Sequence, residues 1–170
     1  MTVLTTERLT LRKPIEADYP GYAALMTSER ATYIGGQVTG ARGWLVFAGE
    51  IGHWDMRGYG MFSVVLRDTN ETVGLIGPFF PPQWPEKEVG WLLWPQAEGK
   101  GIAHEAASAV LSHVINDLGW NTVVSYIDPA NTRSIALAER LGATRDDTCD
   151  RPDPEDLVYR HDAATWRAAA

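Results

Sequence analysis

The chain predicts an α/β or α+β sandwich around a mixed sheet, on three observations. Segments rich in β-formers between Tyr59 and Trp94 read as a meander. A long alanine-rich segment after them keeps helical periodicity, and a strand–turn–helix unit follows it. With 45% hydrophobic and 22% charged positions, residues 1–170 fit a single globular domain with a substantial core.

Along the chain, Thr6–Lys13 alternates Leu9 and Leu11 with polar residues, as an edge or half-buried strand does, and Pro14 ends it. Ala17–Ser28 reads as a helix with Tyr22, Leu25 and Met26 on one face, and Gly35-Gly36 breaks the pattern. Thr39–Asp55 is a second helix, N-capped by Thr39, with Trp44, Leu45, Ala48, Ile51 and Gly52 at helical spacing.

Tyr59–Arg67 and Thr72–Phe80 are strands joined by the turn Asp68-Thr69-Asn70-Glu71. The three prolines of Pro81-Pro82-Gln83-Trp84-Pro85 deny ladder donors, so this segment is an aromatic loop. Glu86–Trp94 shows little alternation, the pattern of a strand buried on both faces.

Ile102–Gly119 places Ala103, Ala106, Ala107, Val110, Leu111, Val114 and Leu118 on one helical stripe and ends in a capping glycine. Thr122–Ile127 is a strand, Asp128–Asn131 a turn, and Thr132–Leu141 a helix closed by Gly142. Strands near Thr144–Thr148 and Leu157–His161 follow, then a frayed helical tail, Ala163–Ala170.

A formal charge of −7 and an isoelectric point near 5.0 supply no basic face for nucleic acid, and they suit a cationic partner such as an amine. Cys149 stands alone, which rules out an intrachain disulfide or a cysteine-rich metal site, so an inert thiol and no metal are expected. Met1–Arg12 lacks the basic stretch and apolar core of a signal peptide. No apolar run reaches the roughly 18 residues of a membrane span. Cytoplasmic residence without membrane contact is the expectation.

Chemistry concentrates in Trp91–Ala107. A Trp-rich strand runs into Gln96-Ala97-Glu98-Gly99-Lys100-Gly101, which opens the long helix. Glycines at a helix mouth let a ligand approach the backbone, and the free N–H groups and dipole there favour phosphate. Close packing of the turn is the other reading of the same glycines. The Walker loop is excluded because no Gly-Lys-Ser/Thr follows at its spacing, and the dinucleotide fingerprint because His104 stands where its third glycine belongs.

Some thirty residues on, Asn131-Thr132-Arg133-Ser134 opens a helix that ends in Leu141-Gly142-Ala143. Together with the glycine turn one helix and one strand earlier, this resembles the GNAT superfamily of N-acetyltransferases. Glu7-Arg8-Leu9-Thr10-Leu11-Arg12 is similar to the start of its ribosomal-protein N-terminal branch. The likeness spans Thr6 to about Arg160. It implies a mixed, mostly antiparallel sheet flanked by helices, with acetyl-CoA as cosubstrate and a primary amine as acceptor. The acceptor would be a peptide N-terminus or a small molecule, and homodimerisation is left open.

The resemblance also assigns residues. Main-chain groups of Trp91, Leu92 and Leu93 match those that pair with pantetheine. Gly99, Lys100, Gly101, Ile102 and Ala103 match the pyrophosphate turn. Asn131 matches an asparagine that reaches the cofactor, and it equally suits a helix N-cap. Lys100 neutralises phosphate or is simply solvated.

Amine acetylation needs a base for the amine and an acid for the departing thiolate. The family's usual strand glutamate and helix tyrosine are replaced by Tyr126 and Ala138. The resemblance then implies Ser134 as the proton donor, the other reading being a first-turn serine that caps or faces solvent. Glu88, after the aromatic loop, is the candidate base, raised toward neutrality in a Trp-lined cleft, or else a solvated edge carboxylate. His104 and Glu105 are weaker candidates, Glu105 serving the helix dipole. His53 is assigned a structural role. Tyr59 and Trp84 are candidate walls for the amine. A non-catalytic acyl-CoA sensor, or an inactive relative, is the alternative that the missing tyrosine and glutamate keep open.

Overall fold

A computed structural model describes residues 2–168. One eight-stranded sheet runs through them in the order β1-β2-β3-β4-β5-β6-β8-β7. Its strands are β1 (Leu4–Thr5), β2 (Leu9–Arg12), β3 (Phe62–Leu66), β4 (Thr72–Phe79), β5 (Glu88–Leu93), β6 (Val123–Ile127), β7 (Thr144–Arg145) and β8 (Leu157–His161). Every neighbouring pair is antiparallel except β5 with β6, so the sheet is mixed and mostly antiparallel as the resemblance implied.

The helices are α1 (Tyr19–Met26), α2 (Gly40–Arg57), α3 (Ile102–Ser112), α4 (Thr132–Arg140) and α5 (Ala163–Ala168). Strand alternation sorts the core into two layers. Val89, Trp91 and Leu93 of β5 join the larger cluster beneath α3, with Val110, Leu111 and Val114. Leu92 points the other way, to Tyr22, Leu25 and Met26 of α1 and Phe47 of α2. The crossover β5–α3–β6 is what makes the central pair parallel. After Ser112 the helix continues as one wider π-turn, His113–Asp117, and Gly119 ends it at φ +68°.

Four expectations need correction. On α2 the buried residues are Gly43, Phe47, His53 and Trp54, while Trp44 and Leu45 stay 49% and 63% exposed. Two apolar stripes compete on this helix, and the one carrying Phe47 and Trp54 packs on α1 and the sheet. Thr39 occupies the N-cap without a side-chain hydrogen bond to the helix. In β5 only Val89 is fully buried, because the strand borders a cleft on one edge. The strand near Thr144 is just two residues long, and within the tail Ala169 and Ala170 lie outside the described residues.

Asp18, just before α1, ties the N-terminal half together. Its carboxylate accepts two hydrogen bonds from Arg12 on β2 at 2.8 and 2.9 Å, and others from Ser63 on β3 and Thr72 on β4. Burial pushes this carboxyl up, but the bonds from Arg12, Ser63, Ile15 and Thr72 outweigh it and hold it at about 2. Its stabilising contribution is therefore complete above the ordinary value of 3.8 and is lost as the pH falls through about 2. Asp18→Asn should cost about 3 kcal/mol, since it leaves the half-buried Arg12 charge without its buried partner. Urea midpoints at pH 7 and pH 3 check this: the gap between wild type and variant should narrow at pH 3.

Candidate active site

Strands β5 and β6 register at one position only, Glu88 opposite Val124, with Val124 N–H donating to Lys87 C=O at 3.0 Å. Beyond it they separate. A side-chain relay replaces the ladder there: the Ser125 hydroxyl donates to Val89 C=O at 2.7 Å and bonds His161 Nε2 of β8 at 3.0 Å. Burial pushes His161 down to about 4, so its imidazole is neutral and structural.

The separation opens a cleft of about 1000 Å³ that reaches both layers of the fold. Leu25 and Ile34 line one side, Ser134 and Leu137 the other, and Trp91, Leu92 and Leu93 its strand wall. Gly99, Gly101, Ile102 and Ala103 form its mouth, and Asn131 lies across from them. Nine sequence-predicted residues thus meet in one cavity. Glu88, Trp84, Tyr59 and Lys100 do not line it.

At the mouth, Gly99 and Gly101 adopt φ +73° and +75°, a left-handed conformation that favours glycine. Gly101 is the N-cap of α3 and has no side chain to block its first N–H groups. Arg8 leans over this turn, its guanidinium donating to Lys100 C=O at 2.9 Å. Glu105 anchors Arg8 by an ion pair of 2.6 Å and accepts the Thr6 hydroxyl at 2.5 Å. Burial pushes the Glu105 carboxyl up, and the bonds from Thr6 and Arg8 overcome it and lower it. Glu105 is therefore a tether for Arg8. Glu98 pairs with Arg30 and, at 2.6 Å, with Arg133, joining the α1 side of the mouth to α4.

At the inner end, Trp91 Nε1–H donates to Ser134 Oγ at 3.1 Å, which leaves the serine hydrogen free to point elsewhere. The Asn131 side chain accepts Ser134 N–H at 3.3 Å, so it caps α4 while bordering the cleft.

Glu88 sits at the apex. By strand alternation it faces the α1 and α2 layer together with Gly90 and Leu92. Its carboxylate lies back over Gly90: a Cβ built there would stand 3.5 Å from Glu88 Oε1. Trp84 Nε1–H holds Oε2 at 2.5 Å, so the aromatic loop grips the candidate base. Burial raises the Glu88 carboxyl to about 7, with Asp156 adding to the rise and the Trp84 and Tyr126 N–H groups opposing it. Trp84 packs edge-on against Phe79 at 5.4 Å. Phe79 stacks on His53, and His53 and Trp120 contact Tyr59. Tyr59 thus braces the loop from behind. His53 bridges Tyr59 C=O and Phe80 N–H, the structural role expected of it.

Glu86, two residues earlier, is bound by Arg160 at 2.8 and 2.9 Å, by Thr122 and by the Cys149 thiol. Chiefly through the Arg160 bonds its carboxyl is held at about 2. Cys149 is pushed up to about 11 by burial and by Glu86, which keeps it a thiol.

Residues 8–144 match the family model of the acetyltransferase (GNAT) domain. The chain belongs to the GNAT acetyltransferases. An acetyltransferase of Agrobacterium tumefaciens has the same fold at a TM-score of 0.90 and 44% identity, over 95% of this chain and 94% of that one. The Bacillus subtilis protein YkkB is 30% identical over 83% of this chain and 84% of its own. RimL, a ribosomal L7/L12 α-N-protein acetyltransferase solved with coenzyme A, shares the fold at a TM-score of 0.74 and 19% identity, over 94% and 97% of the chains.

Sequence reasoning missed two features of this acetyltransferase's site. Arg8 reaches the α3 mouth through Glu105 and Lys100 C=O, 97 and 92 residues away. Glu50 lies on the inner stripe of α2, three residues from Phe47 and from His53, and a carboxylate in that apolar stripe is the signal that would have found it.

Proposed function

We propose that this acetyltransferase takes its acetyl group from acetyl-CoA and passes it to a primary amine by direct attack in a ternary complex. The observation that carries the reading is Glu88, raised to about 7 and held by Trp84 at the position where β5 and β6 last pair. A base poised near neutrality suits an ammonium that must lose a proton before it attacks.

The residues at the mouth fit the diphosphate of the cosubstrate. The left-handed glycine turn, the open end of α3 and the Arg8 guanidinium supply donors and positive charge at one point. Lys100 adds charge at the rim. Trp91, Leu92 and Leu93 offer an unladdered strand edge to the amide-bearing arm, and Asn131 offers its side chain from across the cleft.

Glu88 accepts the first proton of the ammonium. The nitrogen–carbon bond then forms at the acetyl carbonyl as the carbon–sulfur bond breaks. Ser134 passes its proton to the departing sulfur and takes in exchange the second proton that the nitrogen sheds, and Glu88 returns its own to solvent. The Trp91 N–H bond to Ser134 Oγ favours this by leaving the hydroxyl hydrogen available. Trp84 walls the acceptor side and holds Glu88 in place.

Gly101→Val should abolish acetyl-CoA binding by calorimetry, because a β-branched residue strains the φ +75° turn and covers its N–H groups. Unchanged affinity in a folded variant contradicts the placement. Glu88→Gln should lower turnover by roughly 10²–10⁴-fold with acetyl-CoA affinity kept. Ser134→Ala should cost less, since a thiolate leaves readily. Full turnover of Glu88→Gln across the pH range rejects Glu88 as base. Binding of acetyl-CoA without transfer to any amine rejects catalysis in favour of a sensor.

A further inference from the structure

One buried group has no part in the reading above. Glu50 is half-buried, and its Oε2 is out of solvent with no hydrogen-bond partner. A buried carboxylate without a partner is costly, and few are kept in native folds. Its place follows from α2, whose inner stripe Gly43, Phe47, Glu50 and Trp54 faces the layer beneath β5. Phe47, one turn before it, packs on Tyr19 and Tyr22 of α1 at 5.6 and 5.2 Å. Ile51 beside it joins the cluster that contains Leu92. Glu88, Gly90 and Leu92 share that face of β5, so Glu50 and the Glu88 carboxylate, which rests over Gly90, lie on the same side of the sheet.

The two carboxyls feel each other. Burial raises Glu50 to about 7, and the Glu88 charge adds to the rise. The groups around them are Tyr22 on α1, Trp84 in the loop, Tyr126 on β6 and Asp156 before β8. Among the described residues no lysine or arginine bonds either carboxylate, although Glu86, Glu98 and Glu105 nearby are all bound to arginine. Glu50 and Glu88 have no such partner among the described residues.

We propose that Glu50 and Glu88 together form the acceptor subsite, which takes a primary alkylammonium with no carboxylate on the carbon that bears the nitrogen. The assignment rests on Glu88 being the base. The ammonium supplies the missing countercharge. Glu88 takes its proton, and Glu50 stays ionised, holding the cation and keeping the base strong. A free amino acid would bring its own carboxylate against two others and is rejected. Peptide N-termini and aliphatic amines meet the condition. The half-buried rings of Phe79 and Trp84, packed edge-on beside Glu88, suit an alkyl chain next to the charge.

Two probes of equal chain length test this: n-pentylamine and norleucine, which is the same amine with a carboxylate on its α-carbon. Wild-type protein saturated with CoA should bind n-pentylammonium in an NMR titration that shifts the Trp84 indole N–H, and should not bind norleucine. Glu50→Gln, which removes a buried charge and should fold at least as well, should weaken n-pentylammonium about tenfold or more and leave CoA affinity unchanged. With acetyl-CoA, kcat/KM for the amine should fall likewise. Its acid limb should move to lower pH, because Glu88 loses a neighbouring negative charge and ionises more easily. Equal binding of norleucine, or a Glu50→Gln protein with unchanged amine affinity and pH profile, overturns the subsite. Binding as stated but no transfer from acetyl-CoA supports the subsite and rejects the transferase reading instead.

Discussion

The parting of β5 from β6 is the constraint on which the rest of this structure depends. A parallel pair joined through α3 would normally zip along its length, yet here the register stops at Glu88 and Val124. Ser125 and His161 stitch the two strands by side chains at the last point of contact, so the gap beyond is a built feature with a fixed apex. That gap lets one cavity pass between the two layers of the fold. It brings Trp91 and Ser134, on the α3 side, within the same space as Leu92 and Leu25 of the α1 layer.

Polarity is divided along this cavity. The mouth carries the glycine turn, the α3 dipole and Arg8, held there by Glu105. Glu98 links Arg30 and Arg133 across the opening, bringing further positive charge to the rim. Glu88, where the strands last pair, and Glu50 are both raised by burial, and among the described residues no cation bonds either. An anionic cosubstrate entering at one end and a cationic acceptor at the other would each meet its complement, and the overall charge of −7 favours approach of the acceptor. Asp18 is the contrast: more deeply buried, it is fully hydrogen-bonded and serves stability.

Where the sequence was legible, local rules were strong. The apolar stripe of α3, the β-formers of β3, β4 and β6, and the glycines at both ends of α3 left few alternatives. The helix-opening Asn131 and Ser134 could be placed for the same reason. The α2 face was read wrongly because Trp44 and Leu45 form a second apolar stripe that periodicity cannot rank below Phe47 and Trp54. The burial of β5 was overestimated since a strand that borders a cavity carries the same apolar residues as one in a closed core. Glu105, Arg8 and Glu50 take their roles from partners distant in the chain, which spacing does not reveal.

The measurement closest to the central claim is residue-resolved amide hydrogen exchange with and without acetyl-CoA. The account predicts that protection on binding concentrates in β5 between Trp91 and Leu93 and in the turn from Gly99 to Ala103, with β1 and β7 unchanged. Protection confined to other elements, or none along β5 at saturating acetyl-CoA, would contradict a cosubstrate seated where the two strands part.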